Sequence, residues 1–231
     1  MFKLEEYSYR FADAVLKADA FKTAYLELVT ILKNAEIPLL NPLEPNPKRG
    51  GVKHRGRKRK RFVLFPIDQK ALNSYFDDKF KEKHWKFHPK VVTEGGHGPK
   101  TDLKADFKKG RLQVEIQFGN MARWYTDVFK FQLSYSLDQI DVAVLVVPKQ
   151  KFANLIDENV ACYERVVREL PWAKMSLTLP ILVIGLEPED YALIKECYNN
   201  AGDHLKETEG EEITITPFEK HVEEEPSAEE L

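Results

Sequence analysis

Cysteine is scarce in this chain. Only Cys162 and Cys197 occur in 231 residues, with no Cys-x-x-Cys and no Cys/His spacing. A disulfide framework and a structural zinc site are thereby disfavoured, and two reduced thiols of an intracellular, cytoplasmic protein are expected. Long apolar runs are missing too. None approaches the roughly 20 residues of a membrane span, so no membrane partner is expected, and Met1 to Tyr9 does not read as a secretory signal. No internal repeat is visible, which sets aside solenoids and other arrays. Net charge is small as well: 35 Lys and Arg against 37 Asp and Glu leave −2.

That near-neutral sum averages two opposed segments. Lys48 to Arg61 (KRGGVKHRGRKRKR) holds nine Lys and Arg and no acid, whereas Glu dominates from Glu207 onward. A basic block suits a phosphate backbone through charge pairing and counterion release, although a lone basic tract is also the composition of a solvated loop. The acidic end reads as a solvated, mobile terminus. Hydrophobic residues at 43% and aromatics at 11% suffice for a packed core. The length fits one domain over residues 1–204, carrying the basic loop 48–61, with an acidic tail over 205–231.

Periodicity places the elements. Arg10 to Ala35 is helical, with Phe11, Ala14, Val15, Phe21, Ala24, Tyr25, Leu28, Val29 and Leu32 in its apolar stripe. Four prolines between Ile37 and Pro47 end it. Phe62 to Phe65 is a short strand stopped by Pro66, and Asp68 can cap a helix reaching about Lys83. Lys86 to Thr93 suits a strand. Leu103 to Phe107 and Leu112 to Phe118 read as strands joined through Lys108-Lys109-Gly110. Ala122 to Leu137 is helical, Val142 to Val147 a strand buried on both faces, Asn154 to Leu170 a helix, Leu179 to Leu186 another buried strand, and Glu189 to Asn199 a helix. The expected fold class is α/β, a central mixed sheet flanked by helices. Trp85 and Trp124 are expected in the core.

Chemistry concentrates in DFKKGRLQVEIQFGN, residues 106 to 120. Strand alternation gives Gln113, Glu115 and Gln117 one face and Val114, Ile116 and Phe118 the other. The apolar face belongs to the core, so the polar face is expected to meet water, a partner or a metal. Asp106 lies across the hairpin from Glu115. Two converging carboxylates repel unless a hard cation stands between them, and Mg²⁺ is the ordinary choice. Taken alone, such alternation is also a commonplace surface pattern.

The stretch resembles the PD-(D/E)XK nuclease motif, an Asp followed on the adjacent strand by Glu-x-Lys, with Gln117 in the lysine position. Glu-x-Gln is typical of the BglII- and BstYI-type restriction endonucleases. The resemblance extends over about Phe62 to Pro188, through FVLFPIDQKALNSYFDDKFKEKHWK, VEIQFGN, DVFKFQLSY, IDVAVLVVPK, Tyr163-Glu164 and LPILVIGLEP. It implies a restriction-endonuclease-like fold and Mg²⁺ held by Asp106, Glu115 and the backbone carbonyl of Ile116, a cation that would activate water and the scissile phosphate. Gln117, uncharged, would orient the attacking water by hydrogen bonding, and His88 falls near a position where a relative helps place that water. Asp102 has no match in the motif.

What the resemblance implies for the protein is a type II restriction endonuclease. It would hydrolyse double-stranded DNA as a two-fold homodimer, at a palindrome with a GATC-like core. Lys53, Arg55, Arg57, Lys58 and Arg59 of the basic loop would clamp the backbone, and Arg123 would contact phosphate. The Gly-rich loop with Glu94, His97 and Lys100 would line the groove. The missing motif lysine and the added basic loop also fit a different class, a DNA-binding protein on a nuclease fold that no longer cuts or that senses modified bases. A repair or modification-dependent nuclease with the same chemistry is a third option.

Overall fold

Two almost wholly apolar strands, VAVLVVP and ILVIGLEP, set the centre of the molecule. The computed structural model describes residues 1–40, 53–57, 61–91, 102–209 and 213–223. In chain order the strands are β1 (Phe2–Tyr9), β2 (Lys53–Arg57), β3 (Arg61–Phe65), β4 (Lys86–Phe87), β5 (Phe107–Lys109), β6 (Leu112–Ile116), β7 (Val142–Pro148), β8 (Ile181–Pro188) and β9 (Thr214–Ile215). The helices are α1 (Ala12–Lys17), α2 (Asp19–Lys33), α3 (Gln69–Glu82), α4 (Arg123–Ser136), α5 (Gln150–Ile156), α6 (Tyr163–Glu169), α7 (Ala192–Glu209) and α8 (Glu219–Val222), with a 3₁₀ turn over Leu170–Ala173.

Six strands form a mixed sheet in the order β1-β8-β7-β6-β5-β4. β6, β7 and β8 run parallel, while β1 and the β4-β5 side pair antiparallel. β7 is buried on both faces because alternate residues feed two cores. Val142, Val144 and Val146 pack with residues of α2, α3 and α5. Ala143, Leu145 and Val147 pack with Trp124, Val128 and Phe131 of α4 and Val166 of α6. A smaller sheet, β2-β3-β9, stands apart in hydrogen bonding.

Most of the expected elements are present. Asp68 caps α3, its carboxylate accepting from the Ala71 amide at 3.0 Å, and Leu72, Phe76 and Phe80 bury the stripe. Trp85 and Trp124 are buried, and both cysteines are free and buried. Among the described residues no helix is long and apolar enough to cross a membrane.

Six expectations change. Phe2–Tyr9 supply the edge strand β1, and the helix expected over 10–35 is split at Ala18. The strand expected over 86–93 reduces to Lys86–Phe87 and a single bridge from Lys90 to Lys104. The strand expected over 103–107, joined through Lys108-Lys109-Gly110, is instead β5 over Phe107–Lys109, because the chain turns later, at Gly110 and Arg111. The helix expected over 154–170 is two helices. Asp157 takes an extended backbone that ends α5, and Ala161 N–H is drawn to the Gly119 carbonyl at 3.1 Å. Residues 53–57 of the basic loop are strand β2. Finally, α7 runs to Glu209, and residues 213–223 add β9 and α8, with Phe218 and His221 buried. Tertiary pairing has overruled the acidic composition there.

Candidate active site

The β5-β6 hairpin builds the site. Gly110, at φ +57°, supplies the left-handed conformation that a glycine adopts without a Cβ clash. The register pairs Phe107 with Val114, which sets Asp106 opposite Glu115 as the chain enters β5. Asp106 is fixed from two sides: its carboxylate accepts from the Ile116 amide at 2.9 Å, and its carbonyl accepts from the His88 amide at 3.0 Å. A cleft of about 500 Å³ opens here, lined among others by Asp106, Ile116, Gln117, His88, Arg123, Asp127 and Lys130.

Of the water, partner or metal that the alternation allowed, the polar face of β6 does not meet bulk water. Gln113 and Glu115 are each 1% exposed and Gln117 8%, because α4 lies across them. Such a face is tolerable only if its groups are paired. The pairing is a chain of contacts. Gln113 Nε2 donates to Glu115 Oε1 at 3.0 Å, and Lys130 Nζ pairs with Glu115 Oε2. Lys130 also meets Asp127 Oδ1 at 2.9 Å and donates to the Lys104 carbonyl at 3.2 Å. Gln117 Nε2 donates to Asp127 Oδ2 at 2.8 Å, while Gln117 Oε1 accepts from the Gly119 amide at 2.8 Å.

Electrostatics follow from this burial. Desolvation pushes the Asp106 pKa up, offset in part by the Ile116 amide. Glu115 rises well above the usual carboxylate range, through burial first and the neighbouring Asp106 second, against the pull of Lys130. Lys130 loses solvation, yet Glu115 and Asp127 outweigh that loss and raise its pKa. The site therefore holds its ammonium charged and has two carboxylates that a cation would favour in the ionised form.

The structure thus gathers Asp106, Ile116, Gln117, His88 and Arg123 around one cleft, while Glu115, 1% exposed, does not line it and reaches it only through its contact with Lys130. His88 is exposed at its edge, its ring 3.7 Å from that of Phe87. Arg123 is exposed at the first turn of α4. The backbone of Lys53, Arg55 and Arg57 lies in β2. Lys58, Arg59, Glu94, His97 and Lys100 lie outside the described residues. Sequence reasoning missed Asp127 and gave Lys130 no role in the site. Their signal was available: two charges spaced i, i+3 on the same helix stripe as Trp124, Val128 and Phe131, where a core helix carries apolar residues.

Two solved structures share the fold. A restriction endonuclease BglII complexed with a DNA 16-mer aligns at a TM-score of 0.60 and 20% identity, over 81% of this chain and 78% of the other. Free BglII aligns at 0.55 and 19%, over 81% and 80%. No curated protein matches the chain in sequence. The family described as restriction endonuclease BglII/BglIII matches residues 4–186, most of the chain and all of the β5-β6 hairpin, so the chain belongs to that family and is a type II site-specific endonuclease.

Proposed function

We propose that the enzyme cleaves double-stranded DNA with Mg²⁺ at a palindrome with a GATC-like core, acting as a homodimer in which each subunit cuts one strand. The observation that carries the metal assignment is the Asp106–Glu115 pair. Each sits in a low-dielectric setting, and Asp106 adds to the upward shift of Glu115. A hard divalent cation would relieve that conflict. Among the described residues no three His, Cys, Asp or Glu side chains form a cluster able to hold an ion. The proposed ligand set is accordingly Asp106, Glu115 and the Ile116 carbonyl, with water and DNA phosphate completing the shell. The bound cation would supply Lewis-acid activation of water and stabilise charge on the scissile phosphate.

The remaining roles rest with the protein's own groups. Gln117, oriented by Asp127 and the Gly119 amide, would hold water by its spare hydrogen-bonding capacity. His88 at the cleft edge would assist that placement, and Arg123 would take a phosphate. The BglII complex with DNA supports DNA as the partner. Contacts from the basic segment, Lys53, Arg55, Arg57, Lys58 and Arg59, and from His97 and Lys100, would position the duplex. The GATC-like core rests on family likeness, since base-edge contacts set specificity and these vary on a common catalytic frame.

Unmethylated plasmid incubated with the purified enzyme and Mg²⁺ should give discrete fragments whose mapped ends share one palindrome. Glu115→Ala should abolish cutting while leaving DNA binding in place. Absence of cutting on all unmethylated DNA, or full activity in Glu115→Ala, would overturn the assignment. Light scattering of the free enzyme tests the dimer.

A further inference from the structure

Lys130 stands where no motif residue is expected, and its geometry defines what it can do. Its ammonium has three protons and three acceptors: Glu115, Asp127 at 2.9 Å and the Lys104 carbonyl at 3.2 Å. No proton is left over for a phosphate or a water. Lys130 therefore does not take the substrate-contacting place of the lysine that Glu-x-Gln lacks. It acts through Glu115, whose other oxygen is engaged by Gln113. Asp127 relays the same contact to Gln117.

Formal charge makes the consequence concrete. Among the described residues, Asp106, Glu115 and Asp127 are three carboxylates and Lys130 is the one ammonium bound among them. With all three ionised, as a bound cation would hold them, the balance of −2 is what one divalent ion neutralises. Without a metal, the ammonium is the cation that keeps Glu115 buried. A metal arriving at Asp106 and Glu115 meets a carboxylate already paired and a like charge beside it.

We propose that Lys130 is a positioning residue and the site's resident cation, sharing Glu115 with the catalytic metal and thereby holding metal affinity down in the DNA-free enzyme. This rests on the assignment of Asp106 and Glu115 as metal ligands. Coupling follows: metal occupancy of the free enzyme is weak, and the negative phosphate of bound DNA adds the charge that tips the balance toward the metal. Lys130 so links metal uptake to the presence of DNA.

The test is Mn²⁺ titration of the DNA-free full-length protein, followed by calorimetry and by Mn²⁺ electron-spin resonance. Lys130→Met should bind Mn²⁺ roughly tenfold or more tightly than wild type, as expected when a like charge is removed next to a divalent ion, while Lys130→Arg stays within about threefold. Damage to packing alone would weaken both variants and would not follow the sign of the charge. A Lys130→Met chain that folds only when Mn²⁺ is present also supports the proposal, because the external cation then replaces the internal one. Unchanged or weaker Mn²⁺ binding in Lys130→Met overturns it, as does a chain that stays unfolded with Mn²⁺. Glu115→Gln separates the two levels. If it binds Mn²⁺ as wild type does, the ligand assignment falls. If it loses Mn²⁺ while Lys130→Met gains nothing, the assignment stands and the role of Lys130 falls.

Discussion

Gly185 on β8 has no room for a side chain. A Cβ there would lie 2.7 and 2.8 Å from the Cγ and Cδ2 atoms of Tyr163 and 3.0 Å from Cδ of Lys149. The Tyr163 ring is buried, and the Lys149 ammonium sits 4.9 Å from its centroid, so the ring cannot swing aside without giving up that packing. Gly185→Ala should destabilise the fold by about 1–3 kcal/mol, seen as a lower denaturant midpoint at unchanged slope. An unshifted midpoint would show that the ring yields freely. A glycine inside a strand pattern signals close approach in general, but its partner is set by tertiary packing and was not readable. That Asp106, Glu115 and Gln117 meet on one hairpin was readable for the opposite reason. Alternation and a hairpin are local, and two residues of turn fix which side chains face each other. What the strand could not tell was its cover. Asp127 and Lys130 fall on the apolar stripe of α4, a local sign of burial, but only packing against β6 makes them part of the site.

Short elements escape periodicity, and the end of the described chain shows the cost. β9 has two residues and α8 four, too few for a period to register. Their hold on the fold is nonetheless specific. β9 pairs in parallel with β3, and the Thr216 amide donates to the Phe62 carbonyl at 2.9 Å. Tyr198 donates its hydroxyl to the Thr216 carbonyl at 2.6 Å, and the Phe218 ring packs 5.5 Å from that of Tyr198. Asn154 on α5 donates to the His221 carbonyl at 3.0 Å. A chain ended at residue 204 therefore loses the cover of Tyr198 and the third strand of the small sheet. It should be less stable by about 3 kcal/mol or more, given that one buried aromatic alone is worth about 1.5–3 kcal/mol. A chain ended at residue 223 should melt close to the full-length protein. Equal melting of both truncations would mean that β9 and α8 contribute nothing, and the acidic segment would then behave as the solvated tail its composition suggests. The strongly patterned elements needed no such help: β7, β8, α3 and α4 lie where periodicity put them, because each buries a face long enough to dominate local preference. The break between α5 and α6 is the counter-example. Its periodicity continues, but residues 159–161 are recruited by the loop after β6, through Met121 N–H to the Asn159 carbonyl at 2.9 Å and Ala161 N–H to Gly119.

For the molecule as a whole, the candidate site couples stability to pH. Asp106 and Glu115 both have folded-state pKa values raised by burial, Glu115 the more so. The folded protein thus binds these protons more tightly than the unfolded chain, whose carboxylates titrate near about 4. Their contribution to stability is complete below that unfolded value and is lost as pH rises through the raised folded values. Lys130, shifted upward by its two carboxylates, stays charged over the same range and does not reverse the trend. His221 works in the other direction. Burial lowers its pKa, so its contribution is lost as pH falls below the unfolded value of about 6.5. The melting temperature of the metal-free protein alone mixes these opposed slopes. The increment produced by Mg²⁺ should not, because the ligands proposed for it are Asp106 and Glu115, and a cation binds their ionised forms. That increment should grow from about pH 5 to pH 8, as the proton ceases to compete for the carboxylates. In Glu115→Gln it should be small and nearly flat with pH, while the His221-dependent acid slope persists in both proteins. A wild-type increment that does not change with pH would separate Mg²⁺ binding from these two carboxylates and move the metal elsewhere in the cleft.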